Sequence, residues 1–315
     1  MVDSKQQWKA WLYLTPAIIL TLVFTVWPII NTVRMAFLNG YNGMLASVPG
    51  YQFNIGIKNF IQVIRMGDFI DSLANTALLC VLTVPISTIL ALLIAVALNS
   101  IKPLQKILQT IYFLPYVTNS IAIGMVFAAM FSIVGNMGTE GNDIIITAGI
   151  INNLLGLFGV EPINWMNAGS SYWANITVMV VYIVWNALPF KILILLGGLQ
   201  SIGKQYYDAA KVDGTPRHRV FTRITVPLLS PMLAYVVITG FIGGFKEYSS
   251  IVGVFGDGMG PVGDAGRLNT MVGYIYDALP QMNYGQASAA ALILFGIIMI
   301  VTAINLQVSK KRVHF

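Results

Sequence analysis

The sequence predicts an all-α membrane protein with six transmembrane helices. Hydrophobic residues make up 57% of its 315 positions and charged residues only 10%, whereas a soluble domain carries about 25% charged residues. Charges also divide the chain into six uncharged windows of 22 to 33 residues. Each window exceeds the roughly 20 apolar residues that cross a bilayer. A soluble fold with this composition would expose large apolar patches to water.

The windows give the positions of the spans within one transmembrane domain, residues 1–315. We predict spans near residues 11–33, 75–98, 107–131, 173–199, 226–251 and 287–308. A further window between Asp143 and Glu161 has only 17 residues and contains Asn152 and Asn153. This length is at the short limit for a span, so we expect residues 144–160 to form an interfacial or re-entrant segment. The first span is too long for the apolar core of a signal peptide and is expected to remain as an anchor.

The basic residues indicate the orientation of these spans. With both termini in the cytoplasm, the inner segments hold 12 of the 18 lysines and arginines, the outer loops hold 3 and the spans hold 3. Cytoplasmic loops of membrane proteins are enriched in such residues. A seventh span would place the basic cluster Lys204–Arg223 outside, against that rule. We therefore predict that both termini are cytoplasmic.

Several classes of chemistry have no support in the sequence. The one cysteine, Cys80, excludes a disulfide framework or a cysteine-rich metal site, and the two histidines, His218 and His314, are far apart in sequence. There is no phosphate-binding G-x-x-x-x-G-K-[ST] loop and no G-x-S-x-G motif. We expect no catalytic residue, metal or cofactor in this chain. Because the net charge of +6 follows topology, we expect no nucleic-acid partner.

The loop between the fourth and fifth spans, residues 200–225, has a distinctive pattern. Ile202, Tyr206 and Ala209 or Ala210 have helical spacing, and Asp213-Gly214 is typical of a helix C-terminus that needs a positive φ. Thr215-Pro216 then begins a second short helix. The pattern predicts a cytoplasmic helix-turn-helix. Spacing alone leaves two interpretations open, a basic segment on anionic lipid headgroups or a docking element for another protein.

A resemblance to a known family favours docking. The run D-A-A-x-x-D-G from Asp208, continued by Phe221, Ile224 and Pro227, resembles the EAA loop of ATP-binding-cassette importer permeases. The segments GIKNF (56–60), LANT (73–76), IYFLP (111–115), GIINNLLG (149–156) and 270–290 extend the resemblance to the carbohydrate-uptake branch. The run WPIINTVRMAF, which ends the first span, resembles the maltose-transporter large-permease type.

This resemblance implies a division of labour in a bacterial-type cytoplasmic (inner) membrane. The chain would pair with a second, homologous permease, two cytosolic ATPase subunits that use ATP and Mg, and an extracytoplasmic solute-binding protein that delivers a sugar. The residues implied in ATPase coupling are Asp208, Ala209, Ala210, Asp213, Gly214, Phe221 and Pro227. The chain departs from the usual motif at Asp208, where relatives have glutamate, and at Thr215, where they have alanine.

Polar residues within the spans are candidates for the sugar pathway, because ionisable groups in a membrane are costly. The candidates are Tyr182, Trp185, Asn186, Lys246, Glu247 and Tyr248. An alternative is that Lys246 and Glu247 are solvated at the outer interface and that the aromatic residues pack or anchor the spans. Lys191 lies roughly 12 Å into the fourth span and Glu247 roughly 30 Å into the fifth at the helical rise, so straight spans would keep them too far apart to pair.

The resemblance thus implies a non-catalytic permease subunit of an ATP-driven carbohydrate importer. A sugar phosphate, a polyol or an acidic saccharide is the alternative cargo. An ion-coupled secondary transporter is a rival class, but it would need acidic relays within its spans, and only Glu247 could serve.

Overall fold

The computed structural model describes residues 7–101, 105–136 and 145–312, and nearly all of its regular structure is helical. The described residues form two compact units. The first contains the described residues up to Ile70 together with Tyr274–Gly296, and the second contains Asp71–Gly273 together with the described residues from Ile297. Lys5, Lys102 and the segment around Glu140 and Asp143, which enter the predicted topology, lie outside the described residues.

Four of the predicted spans are continuous helices. Trp8–Phe37, Gly67–Ser100, Tyr172–Ser201 and Tyr284–Lys310 are all long and apolar enough to cross a membrane. The first comprises α1 (Gln7–Thr21), a π-helical turn (Leu22–Val26) and α2 (Trp27–Phe37). The other three are α5 (Gly67–Ser100), α9 (Tyr172–Ser201) and α16 (Tyr284–Arg312).

The third predicted span, 107–131, is not one helix. It divides into α6 (Gln105–Val117) and α7 (Ser120–Phe131). The side chain of Asn119 caps α7 by accepting a hydrogen bond from Ile121 N at 2.8 Å. Asparagine is among the best N-cap residues, so it favours a new helix start over a continuous helix.

The fifth predicted span, 226–251, is also interrupted. The helical run Arg217–Leu228 and α13 (Ser230–Gly244) are bent by 66° across Leu229. Pro231 lacks the N–H that would donate to Pro227 O, which weakens the helix at this bend. Beyond Gly244 the chain forms tight turns until α14 (Ser249–Phe255) begins. If the bent pair counts as one span, the described residues contain up to five spanning elements.

Two π-helical turns precede prolines. In the first, Trp27 N–H donates to Leu22 O, and Pro28 follows. In the second (Phe221–Thr225), Val226 N–H donates to Phe221 O, and Pro227 follows. A proline cannot donate to the preceding turn, and in both places the residue before it makes the wider i→i−5 bond that defines a π-bulge.

The first unit is organised around Asn59, which is completely buried. Short helices α3 (Gly43–Ala46) and α4 (Lys58–Arg65) follow α2. The amide of Asn59 donates to Ala36 O at 3.0 Å and Leu38 O at 2.7 Å, and its oxygen accepts from Gly40 N at 2.9 Å. This side chain therefore satisfies backbone groups left open where α2 ends.

Replacing Asn59 by alanine is expected to lower the free energy of unfolding by about 2–3 kcal/mol, because it leaves several buried backbone groups without partners. Thermal unfolding of the purified protein in detergent measures the effect. Asn54→Ala is the matched control, since the side chain of Asn54 is exposed. Equal midpoints for the two variants would contradict a stabilising role for Asn59.

Two hydrophobic clusters lie in the core of the described part of the second unit. One contains Tyr182, Met179 and Ile176 of α9 with Phe127 of α7 and Ile251 of α14. In it, α7 and α14 cross in direct backbone contact: a Cβ placed on Gly124 would lie 2.6 Å from the carbonyl carbon of Gly253. The other cluster packs α9 residues such as Leu195 against Ala91 and Ala95 of α5 and Val236 of α13.

The helical fold that the sequence predicts is present, with one short addition. Strands β1 (Ile133–Asn136) and β2 (Ile145–Ala148) pair antiparallel, with Ile133 opposite Ala148. The segment predicted as interfacial or re-entrant, 144–160, begins outside the described residues and then contains β2 and the short helix α8 (Ile150–Gly156). The last short helix before α16 is α15 (Met271–Asp277).

Candidate functional site

Two helical arms joined by a turn occupy residues 204–228. Helix α10 (Lys204–Val212) ends at Asp213, and Gly214 has φ of +61°. Gly214 N donates to Lys211 O at 3.1 Å, and Thr215 N donates to Ala210 O at 2.9 Å. This pair of bonds is the glycine-terminated Schellman turn. The expectation of a positive φ at Gly214 is therefore confirmed.

The second arm of this segment is longer than predicted. Pro216 occupies the N-cap position rather than the first turn of α11 (Arg217–Val220). The helix continues through the π-helical turn and α12 (Val226–Leu228) up to the bend at Leu229. Pro227 thus lies within the helical run, and the change of direction comes two residues later.

The buried face of α10 differs from the predicted one. Tyr207, not Tyr206, turns inward, and its hydroxyl lies 3.3 Å from Thr225 Oγ1 of the second arm. Ala210 is 4% exposed, so its side chain packs within this chain, whereas Ala209 is exposed. Of the two alanines that the resemblance implies in ATPase coupling, only Ala209 is accessible to a partner in this structure. Phe221 and Pro227 are also partly buried within the chain.

The outward face of the segment carries charge. Asp208 and Lys211 form an ion pair at 3.1 Å, with side chains 65% and 78% exposed. Asp213 and Gly214 are exposed at the turn. An exposed pair of this kind contributes little to stability, typically about 0–1 kcal/mol. Asp208, Ala209, Asp213 and Gly214 therefore form the accessible part of the predicted coupling set, which we call the turn surface.

The second unit also contains a cavity of about 270 Å³ among the apolar helices α5, α6, α9 and α13. The polar residues that line it are Thr83, Ser87, Tyr116, Asn186, Lys191, Thr239 and Glu247. Polar groups are costly in a membrane interior and are usually functional there. The cavity is thus a candidate binding site.

Lys191 is held in the cavity wall by three acceptors. Its ammonium donates to Ser87 Oγ at 2.7 Å, Thr88 Oγ1 at 3.0 Å and Val84 O at 3.2 Å, and the residue is 5% exposed. An ammonium has three N–H donors. All of them are therefore used in tying α9 to α5.

Two glycines of α13 allow this close packing. A Cβ on Gly240 would lie 3.3 Å from Lys191 Nζ, and one on Gly244 would lie 2.7 Å from Cys80 Sγ. Both glycines line the cavity. Larger residues at these positions would displace Lys191 or Cys80, so the glycines help set the shape of the wall.

The remaining wall combines aromatic and polar groups. The rings of Tyr116 and Phe190 stack with centroids 5.9 Å apart and an interplanar angle of 18°. Within the described residues, the side chains of Asn186 and Tyr116 form no hydrogen bonds. Glu247 Oε1 accepts from Ser250 N at 3.2 Å, so Glu247 also caps α14. The cavity thus offers an aromatic face, an unused amide and hydroxyl, and a carboxylate.

Two of the six predicted pathway residues, Asn186 and Glu247, line this cavity. Against expectation, Tyr182 is completely buried in the core, where its hydroxyl donates to Ser120 O. Trp185 and Tyr248 pack against the same core cluster, and Lys246 is exposed outside the cavity lining.

Lys191 and Glu247 form no ion pair, in agreement with the expectation that they are too far apart to pair. Both nevertheless line the same cavity. Straight spans would have kept them at different depths, but the bend at Leu229 and the end of α13 at Gly244 change the path of the chain. Ser87, Tyr116, Phe190 and Thr239 were not predicted, since the sequence gives no sign of which faces of four helices meet.

Long apolar helices that surround a cavity with polar walls are typical of a membrane transport protein. Residues 87–314 match the family described as "Binding-protein-dependent transport system inner membrane component". The chain therefore belongs to this family of inner-membrane transport components.

Individual relatives are similar over almost the whole chain. The lactose transport system permease protein LacF of Rhizobium radiobacter is 29% identical over 96% of this chain and 95% of its own. The arabinooligosaccharides transport system permease protein AraP of Bacillus subtilis is 30% identical over 95% of this chain and 88% of its own. A solved bacterial ABC transporter involved in the import of the acidic polysaccharide alginate has the same fold, with a TM-score of 0.76, 22% identity, and coverage of 98% and 96%.

Proposed function

We propose that this chain is a permease subunit of an ATP-driven importer for a carbohydrate and forms half of the translocation pathway. The observation that carries the proposal is the cavity within the apolar helices of the second unit. Sugars present apolar C–H faces and polar hydroxyls. The stacked Tyr116 and Phe190 rings suit the faces, and Asn186 and Glu247 suit the hydroxyls. The sugars in the names of the similar permeases support the same cargo class.

The turn surface is the proposed contact with a cytosolic ATPase subunit. It offers two carboxylates, Asp208 and Asp213, and an exposed small residue, Ala209, which allows close approach of another backbone. The chain itself carries no phosphate-binding loop, so ATP and Mg would be bound by that partner. On this proposal, residues 204–228 lie on the cytoplasmic side, and the six spans include the broken third and fifth elements.

Two further partners complete the proposed assembly. The family description names a binding protein, which supports an extracytoplasmic solute-binding protein as the sugar donor. No residue in the most apolar stretch of Trp8–Phe37 is buried in the isolated chain. Membrane lipids and a second, homologous permease are the proposed neighbours of this helix, because such a surface is not stable in water.

ATP-dependent uptake tests the proposal. The chain is reconstituted in proteoliposomes with its second permease, ATPase and binding protein, and uptake of radiolabelled lactose and arabinotriose is followed. We expect uptake that requires internal ATP and persists when ionophores dissipate ion gradients. Uptake that needs an ion gradient and no ATPase would instead identify a secondary transporter.

Asp208→Lys is expected to weaken ATPase association by about 2 kcal/mol, roughly 30-fold, because it reverses a charge at the proposed interface. Pull-down of the ATPase from membranes with matched permease levels measures this loss. The double variant Asp208→Lys, Lys211→Asp is the control, since it restores the ion pair within α10 but not the charge at position 208. If the double variant binds the ATPase normally, the effect belongs to the helix and not to the interface.

A further inference from the structure

The cavity wall contains one positive and one negative side chain. Lys191 lies on α9, and Glu247 lies in the turn after α13. The structure places no oxygen of Glu247 within 4.0 Å of the Lys191 ammonium. The two side chains therefore line the same cavity without forming an ion pair.

The two charged groups differ in what they can offer a cargo. All three Lys191 donors are already used by Ser87, Thr88 and Val84, so Lys191 supplies positive potential but no spare N–H. The Glu247 carboxylate has about four acceptor positions. Ser250 N donates to one of its oxygens, and the Ser250 side chain and the Tyr248 backbone are its further hydrogen-bond partners, so only part of its acceptor capacity remains for the cavity.

We propose that Glu247 and Lys191 restrict the cargo to uncharged saccharides. Glu247 accepts hydrogen bonds from sugar hydroxyls, and the balanced pair disfavours acidic saccharides and sugar phosphates. This inference rests on the proposed function, because it names the cargo class of the same cavity. It separates this chain from the alginate transporter of the same fold, whose cargo is an acidic polysaccharide.

The physical reason is that neither Lys191 nor Glu247 offers an anionic cargo a hydrogen-bond donor. An anionic cargo would meet a carboxylate of the same sign, and the nearby ammonium has no donor left for it. Juxtaposed like charges disfavour binding at a recognition site and exclude the wrong partner. A neutral sugar leaves the wall balanced, and its hydroxyls form charge-assisted hydrogen bonds with Glu247, which are stronger than neutral ones.

Direct binding to the complete purified transporter, without the binding protein, tests this inference free of the binding protein's own selectivity. Equilibrium dialysis compares two neutral probes, lactose and arabinotriose, with two acidic probes, trigalacturonate and glucose 6-phosphate. We expect the wild type to bind at least one neutral probe about tenfold or more tightly than either acidic probe. In Glu247→Gln this ratio should fall about tenfold, because the wall gains net positive charge.

Two further variants separate charge balance from damage to the fold. Lys191→Met in the Glu247→Gln background removes both charges and should return the neutral-to-acidic ratio toward the wild-type value. Ser87 and Thr88 keep their own bonds to Thr83 O and Val84 O, so the wall should survive this change. Glu161→Gln makes the same chemical change at an exposed carboxylate outside the cavity and should leave the ratio unchanged.

Each outcome bears on a different claim. Tight binding of an acidic probe by the wild type, or an unchanged ratio in Glu247→Gln, overturns the inference but leaves a sugar importer in place. If the transporter neither binds nor takes up any of the four probes, both the proposed function and this inference are overturned.

Discussion

Gly214→Val is expected to abolish sugar uptake while the protein still reaches the membrane at normal levels. Gly214 has φ of +61°, a region that β-branched residues rarely adopt. A Cβ at this position would meet no atom within 4 Å, so the cost is confined to the backbone and amounts to about 1–3 kcal/mol. To relieve this strain, the turn must unwind, which releases the bonds from Gly214 N to Lys211 O and from Thr215 N to Ala210 O.

Loss of the turn would misplace Asp208, Ala209 and Asp213, which surround it on the proposed ATPase contact. The measurement is ATP-dependent uptake and ATPase pull-down at matched membrane levels, with a loss of tenfold or more expected in each. Gly214→Asn is the sharpest control, because asparagine also adds a Cβ but tolerates a positive φ. Equal loss in the valine and asparagine variants would show that side-chain volume, and not the backbone conformation, matters at the turn.

The largest expected effect on stability is that of Gly124→Ala. The new Cβ would lie 2.6 Å from the carbonyl carbon of Gly253 and 2.7 Å from its Cα. Both are backbone atoms, so relief requires α7 and α14 to move apart and opens the core around Phe127 and Ile251. Overpacking of this kind costs about 1–3 kcal/mol and occasionally more, and we expect a value at the upper end of that range.

The unfolding midpoint in detergent and the amount of protein in the membrane measure this effect. Gly197→Ala is the matched control, since Gly197 lies within α9 and a Cβ there has no neighbour within 4 Å. Alanine is better than glycine inside a helix, so the control should match or exceed wild-type stability. A midpoint for Gly124→Ala equal to that of Gly197→Ala would show that the crossing of α7 and α14 adapts freely.

The sequence predicted the long helices well because each of them is marked by one continuous uncharged stretch. A window such as Asp71 to Lys102 contains no charge to oppose burial, and the structure has a single helix from Gly67 to Ser100. The interruptions were not predicted, because they depend on single hydrogen bonds. The cap by Asn119 lies in an uncharged window, and the turns after Gly244 lie in a predicted span whose apolar run continues to Phe245.

The candidate site was less predictable for a different reason. A glycine at a helix end indicates a positive φ at its own position, so the conformation of Gly214 could be predicted from the sequence alone. Tyr182 and Asn186 lie one turn apart on α9, yet one is in the core and the other lines the cavity. Only the neighbouring helices decide this, and their contacts are not encoded in the spacing.

The bend at Leu229 gives the second unit the geometry of a lever with two arms that meet at an angle. One arm, Arg217–Leu228, carries the π-helical turn and follows directly from Gly214. The other arm, α13, carries Thr239, Gly240 and Gly244 on its far half. Leu229 is only 1% exposed, and its Cδ1 would lie 2.7 Å from a Cβ on Gly198, so the elbow is seated against α9. Because Leu229 is held against α9, we expect a displacement of Arg217–Leu228 to act at this bend on α13, which forms one side of the cavity.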